Sequence, residues 1–203
     1  MQIVEVARRR KHNVLVKTDV HEFLIDVDAS DEFGLKPGLI IDDDTLTSLL
    51  RHSDFLKAKN KALWLLQMRE HSKRELGDKL KRDYNREIVE EIVTLFEESG
   101  LVDDERFANM YAVELSEMRG MSRANIRREL IKKGVGRDII DEVVDTLPDD
   151  EIPAIIEIIS RKYYNCFDDE KAKRRMVAAL ARKGYAYDDI RRAIEEYNDE
   201  RED

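Results

Sequence analysis

The chain has 203 residues, of which 40% are charged and 42% hydrophobic, and its formal net charge is −9 at pH 7. A chain of this length buries enough apolar surface to fold without covalent staples, and its single cysteine excludes an internal disulfide framework and a multi-cysteine metal site. The acidic balance argues against a simple nucleic-acid binder, because such proteins are usually basic overall.

The N-terminal part of the chain differs from the rest. Short β-branched runs at 3–6, 14–16 and 23–27 predict a small three-stranded meander, and Gly34, Pro37 and Gly38 close it. The first thirteen residues lack the apolar core of a signal peptide, and the apolar run 62–66 is far shorter than the roughly 20 residues that span a bilayer. We therefore expect a cytoplasmic protein without a membrane segment.

From Asp44 onward the apolar residues follow a helical spacing. The pattern predicts helices at 44–52, 54–71, 73–83, 86–99, 104–118, 123–133, 138–147, 153–165, 169–183 and 189–198. Local signals agree with these limits. Ser72 with Glu75 forms a capping box, Ser122 is a second N-cap, and Pro153 fits the first turn of its helix. Glycines suited to a left-handed C-terminal position follow three of the helices, at Gly100, Gly134 and Gly184.

An internal repeat is the main feature of the chain. Leu80, Leu130 and Leu180 are separated by 50 residues each, and the same offset relates further apolar positions. These are Leu76, Ile126 and Met176; Leu63, Val113 and Tyr163; Ile140 and Ile190; and Val144 and Ile194. The period predicts a mainly α fold of three tandem three-helix repeats in an elongated, curved array, with a small N-terminal β-meander. The expected boundaries are 1–43 for the β-module and 44–100, 101–149 and 150–203 for the repeats.

Signs of catalysis are missing from the sequence. The four histidines, His12, His21, His52 and His71, show no metal-like pairing, and the eight glycines form no phosphate-binding loop. Cys166 is expected to be a small core filler. We therefore predict no enzyme activity, no cofactor and no metal. Core packing is the expected role of Trp64, Tyr111, Tyr163 and Tyr164, although exposed rings beside basic residues could stack on bases.

Basic residues are segregated along the chain, in the runs 8–11, 119–133 and 171–183. One repeat column, Arg82, Lys132 and Arg182, falls in the last turn of each middle helix, where the helix dipole favours cations. A second column, Lys73, Arg123 and Lys173, lies at or near the N-termini of the same helices, where the dipole disfavours cations in the first two repeats. A functional demand explains that second column better than structure alone.

Two helices carry the strongest positive charge. With Ile126 and Leu130 buried, a turn of about 100° per residue places Arg128 and Lys132 on the far side of the helix and Arg123 and Arg127 on its flanks. The segment 171–183 contains no acid at all. Nucleic-acid phosphates and an acidic protein surface would complement these charges equally well, and ordinary solvated helix faces are the simpler alternative.

Parts of the sequence resemble the RecX family of regulatory proteins. The resemblance covers residues 54–135. Its motifs here are Ala62-Leu63-x-Leu65-Leu66-x-x-Arg69-x-x-Ser72-x-x-Glu75-Leu76-x-x-x-Leu80, then Gly100-Leu101-Val102-Asp103-Asp104-Glu105-Arg106-Phe107-Ala108-x-x-Tyr111, then Arg119-Gly120-x-Ser122-x-x-x-Ile126-x-x-Glu129-Leu130-x-Lys132-Lys133-Gly134-Val135.

The resemblance implies a modulator of RecA that binds the RecA–DNA filament and generally inhibits RecA recombinase and co-protease activity. We expect the chain to be a monomer. Its partners would be the RecA filament and DNA in that context. Charge placement selects the candidate contacts Lys73, Arg123, Arg127, Arg128, Lys132, Lys171, Lys173, Arg174, Arg175 and Arg182. Two alternatives stay open, a stand-alone DNA-binding helical module and a helical scaffold that binds protein only.

Overall fold

The computed structural model describes residues 1–9 and 12–202, which form two compact units, residues 1–102 and 103–203. Residues 10 and 11 of the basic run 8–11 lie outside the described residues. The first unit contains β1 (Ile3–Arg8), β2 (Asn13–Thr18), β3 (Glu22–Asp26), α1 (Val27–Glu32), α2 (Asp43–Met68), α3 (Lys73–Leu80) and α4 (Arg86–Glu98). The second contains α5 (Asp104–Val113) with a π-helical turn (Glu114–Met118), α6 (Arg123–Lys133), α7 (Arg137–Asp145), α8 (Ile152–Lys162), α9 (Glu170–Arg182) and α10 (Tyr187–Glu202).

The predicted N-terminal meander is confirmed as an antiparallel sheet in the order β1-β2-β3. Val14, Val16 and Ile25 are buried, so one face of the sheet packs on the first half of α2. The third strand ends at Asp26, and the prediction that it includes Val27 was wrong. The reason is local, because the Asp26 carboxylate accepts a hydrogen bond from the amide of Asp28 and thereby caps α1, which the sequence analysis missed.

Helix α2 is one continuous helix of 26 residues, where two helices, 44–52 and 54–71, were predicted. Ser53 does not break it. The Ser53 hydroxyl is buried and accepts a hydrogen bond from the Asp26 amide at 2.8 Å, which fastens the sheet to the helix. The helix ends at Met68, three residues earlier than predicted.

Three separate hydrophobic cores confirm the three three-helix repeats. The first uses the second half of α2 with α3 and α4, the second uses α5 to α7, and the third uses α8 to α10. Leu80, Leu130 and Leu180 are each 0% exposed at the centre of their cores. Because no helix among the described residues is both long and apolar, none of them could cross a membrane.

In the repeat column Leu63, Val113 and Tyr163, the second member lies outside the core. Val113 is 49% exposed, although its counterparts Leu63 and Tyr163 are partly buried. In the second repeat the buried stripe runs through Ala112 and Leu115, so Val113 lies beside the stripe rather than on it. Their counterparts fifty residues earlier, Ala62 and Leu65, are also buried, and this pair is the better marker of the period.

The predicted capping residues agree with the structure, whereas one predicted position in a column of basic residues does not. Ser72 and Ser122 cap α3 and α6 through hydrogen bonds from the amides of Glu75 and Asn125, and Pro153 lies in the first turn of α8. All three predicted C-terminal glycines, Gly100, Gly134 and Gly184, are left-handed. Lys132 and Arg182 lie in the last turns of α6 and α9, as predicted. The same prediction was wrong for Arg82, because α3 already ends at Leu80.

Candidate functional site

The four candidate cations of helix α6 differ in exposure as its helical phase predicts. Arg128 and Lys132 are exposed on the side opposite Ile126 and Leu130, whereas Arg123 and Arg127 are half-buried on the flanks. The helix begins after the Ser122 cap and ends at the left-handed Gly134. Its outer face therefore presents two cations, and its flanks hold the other two against neighbouring segments.

The cations that follow the serine caps are engaged in ion pairs within their own units. Lys73 Nζ lies 2.8 Å from a carboxylate oxygen of Glu97 at the end of α4. The Arg123 guanidinium pairs with Asp149 and lies 3.5 Å from Asp145. These pairs join the start of each middle helix to the end of the third helix of its repeat. They supply a structural reason for a cation at Lys73 and Arg123, which the sequence analysis had explained better by function than by structure alone.

Two further candidates on α6 also have carboxylate partners. The Arg127 guanidinium pairs with Asp141 on α7, and Lys132 Nζ lies 2.7 Å from Glu129 one turn earlier. The Lys132 pair is exposed, and exposed pairs of this kind contribute little to stability. A ligand phosphate would have to compete with these carboxylates for both cations.

Helix α9 is different, because its cations have no acidic partner among the side chains that the structure describes. With Met176 and Leu180 buried, a turn of about 100° per residue places four exposed cations in an outward arc of roughly 100°. They are Lys171, Arg174, Arg175 and Arg182. Lys173 is half-buried outside this arc, near Cys166. Among the side chains of residues 1–9 and 12–201 no ion pair involves any of these five. We call the four exposed residues the α9 arc.

Asn125 connects the α9 arc to α6. Its side-chain amide donates a hydrogen bond to the Arg182 carbonyl at 2.9 Å, and its amide oxygen accepts one from the Arg128 guanidinium at 2.9 Å. The backbone amide of Ser122 adds a hydrogen bond to the Lys183 carbonyl at 3.0 Å. The end of α9 is thus seated on the start of α6, which brings Arg128 and Arg182 to one joint. The sequence analysis missed Asn125, whose partners are fixed only by the fold.

Gly184 allows this close approach. Its φ is +97°, and a Cβ added there would clash with the Ser122 hydroxyl and come within 3 Å of the Asn125 side chain. We therefore expect Gly184→Ala to destabilise residues 103–203 by more than the roughly 1–3 kcal/mol that a strained left-handed residue costs alone.

Gly100→Ala is the matched control, since φ is +70° at Gly100 and a Cβ there would meet nothing within 4 Å. Thermal unfolding followed by circular dichroism should show a clearly larger loss for Gly184→Ala. Equal losses would mean that the contact at the joint contributes nothing.

Two of the residues considered for chemistry, Cys166 and His71, are buried in the fold. Cys166 is buried with Sγ 3.4 Å from Met176 Sδ, and burial raises the pKa of its thiol, which supports its role as a core filler. His71 is buried with Nδ1 2.9 Å from the Arg69 carbonyl, and burial lowers the pKa of its imidazole. The core assignment was wrong for Trp64 and Tyr164, which are 56% and 55% exposed. Neither ring has a basic side chain over its face among the described residues.

The chain matches three family models, one for each repeat. Residues 58–94 match the first three-helix domain of RecX, residues 103–144 the second, and residues 149–194 the third. The matched second and third domains contain α6 and the α9 arc. The third repeat, which lies outside the motifs quoted above, is therefore also of the RecX type.

Relatives and solved structures agree with these models. The Regulatory protein RecX of Clostridium acetobutylicum is 28% identical over 95% of this chain and 94% of its own. That of Streptomyces lividans is 34% identical over 72% of this chain and 82% of its own. A crystal structure of regulatory protein RecX shares the fold at a TM-score of 0.64 and 20% identity, covering 96% of this chain and 98% of its own. The crystal structure of RecX from Lactobacillus salivarius shares the fold at a TM-score of 0.57 and 22% identity, and the match covers 71% of this chain and 97% of its own. The chain therefore belongs to the RecX family of regulatory proteins.

Proposed function

We propose that this chain binds the filament that RecA forms on DNA and inhibits the recombinase and co-protease activities of RecA. It acts in the cytoplasm as a monomer, without catalysis or a cofactor of its own, and so regulates DNA repair, recombination and the SOS response. Membership of a family of regulatory proteins supports regulation in general. The choice of the filament as the partner rests on the resemblance and on the charge placement.

The unpaired α9 arc is the observation that carries the proposal. Intramolecular carboxylates already partner Lys73, Arg123, Arg127 and Lys132, so those cations contribute less to binding. The α9 arc has no such partners among the described residues, and an exposed cluster of like charges favours an anionic partner. Arg128 extends this surface across the joint at Asn125. DNA phosphates within the filament would meet these five cations, while the acidic remainder of the chain disfavours naked DNA.

The two alternatives differ in what they bind. A stand-alone DNA-binding module would bind naked DNA as tightly as it binds the filament, with a steep salt dependence. A scaffold that recognises protein only would bind RecA equally well with and without DNA. The net charge of −9 disfavours the first alternative. The α9 arc would suit an acidic protein surface as well as phosphates, so the second alternative is decided by comparing RecA with and without DNA.

Equilibrium binding to three targets tests the proposal. A Cys166→Ser variant with a new terminal cysteine would carry a fluorophore on that cysteine. It would be titrated with single-stranded DNA, with RecA alone and with the preassembled filament. We expect the chain to bind the filament at least about tenfold more tightly than either component, because the filament presents the RecA contacts and the DNA contacts together. Equal affinity for naked DNA or for RecA alone would contradict the proposal and identify the corresponding alternative.

A further inference from the structure

A cavity of about 490 Å³ lies inside the second unit, apart from the α9 arc. The π-helical turn of the second repeat forms one wall, and α8 of the third repeat forms the other. Lys183 and Tyr185, which follow α9, also line it. The volume falls in the range of small-ligand pockets, which is enough for one or two side chains of a partner.

The backbone of this wall has two unusual features. The turn at Glu114–Met118 is π-helical, a conformation that is rare and often found at functional sites. Gly120 follows with φ +56°, and a Cβ there would lie 2.9 Å from Cδ1 of Ile158 on α8. A glycine at this position therefore lets the wall approach α8 closely while the cavity stays open beside it.

Some of the basic side chains that line the cavity have carboxylate partners, and others have none within the described part of the chain. Arg119 and Arg161 have their own carboxylates, Glu114 at 2.6 Å and Glu157 at 3.0 Å. Lys162 and Lys183 take part in no ion pair within the described part of the chain. The lining acid that remains is Glu117, which is exposed.

Lys183 is held in place but not neutralised. Its ammonium donates a hydrogen bond to the Arg119 carbonyl, and burial together with the charge of Lys162 lowers its pKa. The two ammonium groups repel each other, so an anion placed between them would relieve that repulsion.

Tyr185 brings an unused hydrogen-bond donor to the same cavity. The residue is only 5% exposed, but its hydroxyl, which has no hydrogen-bond partner among the described residues, is open to solvent, since no buried side-chain oxygen or nitrogen there lacks a partner. Burial and the nearby Glu151 and Glu157 carboxylates raise the pKa of Tyr185 to about 12, so the hydroxyl keeps its proton at neutral pH. Because this hydroxyl belongs to a residue that lines the cavity and makes no hydrogen bond within the described part of the chain, it is free to donate one to a ligand.

The geometry points to a binding site for an acidic segment of a partner protein, in which one carboxylate lies between Lys162, Lys183 and the Tyr185 hydroxyl. A neighbouring apolar side chain of that segment packs on Met118 and Ile158, which give the cavity an apolar side. DNA is the poorer match, because a sugar–phosphate backbone has no apolar side chain to fill that side. This site goes beyond the proposed function and does not depend on the α9 arc.

Nuclear magnetic resonance of the full ¹⁵N- and methyl-labelled chain tests the assignment. The probe is a blocked tetrapeptide with the sequence Phe-Glu-Glu-Leu, compared with Phe-Gln-Gln-Leu and with a six-nucleotide single-stranded DNA. We expect saturable shifts at the Met118 and Ile158 methyl groups and at the Lys183 amide with the glutamate peptide. The glutamine peptide should bind at least about fivefold more weakly, because it lacks the charge that strengthens hydrogen bonds to ammonium groups.

Two variants and one control complete the test. Tyr185→Phe removes only the hydroxyl and Lys162→Gln removes an exposed charge, so both should fold and each should weaken peptide binding by about three- to tenfold. Arg191→Gln, on α10 and outside the cavity lining, should leave the affinity unchanged. Three results would overturn the assignment: no saturable shift at these groups, equal binding of the two peptides, or displacement of the peptide by the DNA. Binding to the filament through the α9 arc would survive any of them.

Discussion

Reversing Lys171, Arg174 and Arg175 to glutamate should weaken binding to the RecA–DNA filament by on the order of a hundredfold. Each reversal replaces an attraction of about 1 kcal/mol at contact distance in water by a repulsion of similar size, and physiological salt screens part of both. The fold should persist, because exposed substitutions usually change stability by less than about 0.5 kcal/mol each. Lys171 also lies in the first turn of α9, where the helix dipole favours glutamate. Inhibition of RecA strand exchange should fall in parallel.

The matched control reverses Arg137, Arg191 and Arg192, which are exposed in the first two turns of α7 and α10. This variant has the same net charge as the first and the same kind of helix position. Circular dichroism would verify that both variants fold. If the two variants lose affinity equally, only the overall charge matters and the α9 arc is not the contact surface. Full inhibition of strand exchange by the α9 variant would also contradict the assignment.

Leu80→Ala, Leu130→Ala and Leu180→Ala should each destabilise the unit that contains it by about 2–5 kcal/mol, the usual cost of a large cavity in a packed core. Each side chain is fully buried at the centre of a separate repeat core. Urea unfolding followed by circular dichroism would measure the loss. A loss confined to the transition of the altered unit is expected, because the repeats have separate cores.

Leu95→Ala is the control for these variants, since the same atoms are removed from a residue that is 39% exposed. Its effect should stay below about 1 kcal/mol, because little apolar surface returns to water. Unchanged unfolding midpoints in all three core variants, or an equal loss in the control, would refute the repeat alignment.

The repeat architecture is readable from the sequence because core positions must be apolar and recur whenever the unit recurs. The offset of Leu80, Leu130 and Leu180 therefore predicts three cores before any contact is known. Caps such as Ser72 and Ser122 are also readable, since their hydrogen bonds span three residues. Both kinds of signal are short in range or repeated along the chain.

Contacts between distant residues are not readable in this way. Ser53 looks like the start of a helix, yet its hydroxyl serves a strand residue 27 positions away. The charge of Arg123 suggested function because its partner Asp149 is 26 positions further along. Asn125 carries no signal at all, since the carbonyl that it binds lies 57 positions away. Charge placement thus identified the α9 arc, whereas the pairing that neutralises other cations required the fold.

The most direct test of the α9 arc as a phosphate-binding surface is the salt dependence of filament binding. Lys171, Arg174 and Arg175 would be changed to glutamine, and the affinity of this variant and of the unaltered chain would be measured from about 50 to 200 mM salt, a range over which phosphate contacts weaken strongly. If each side chain contacts a phosphate, the slope of log affinity against log salt should become shallower by roughly 2 to 3, at about 0.7–0.9 per lost contact. An unchanged slope, with or without a loss of affinity, would contradict contact between the α9 arc and DNA.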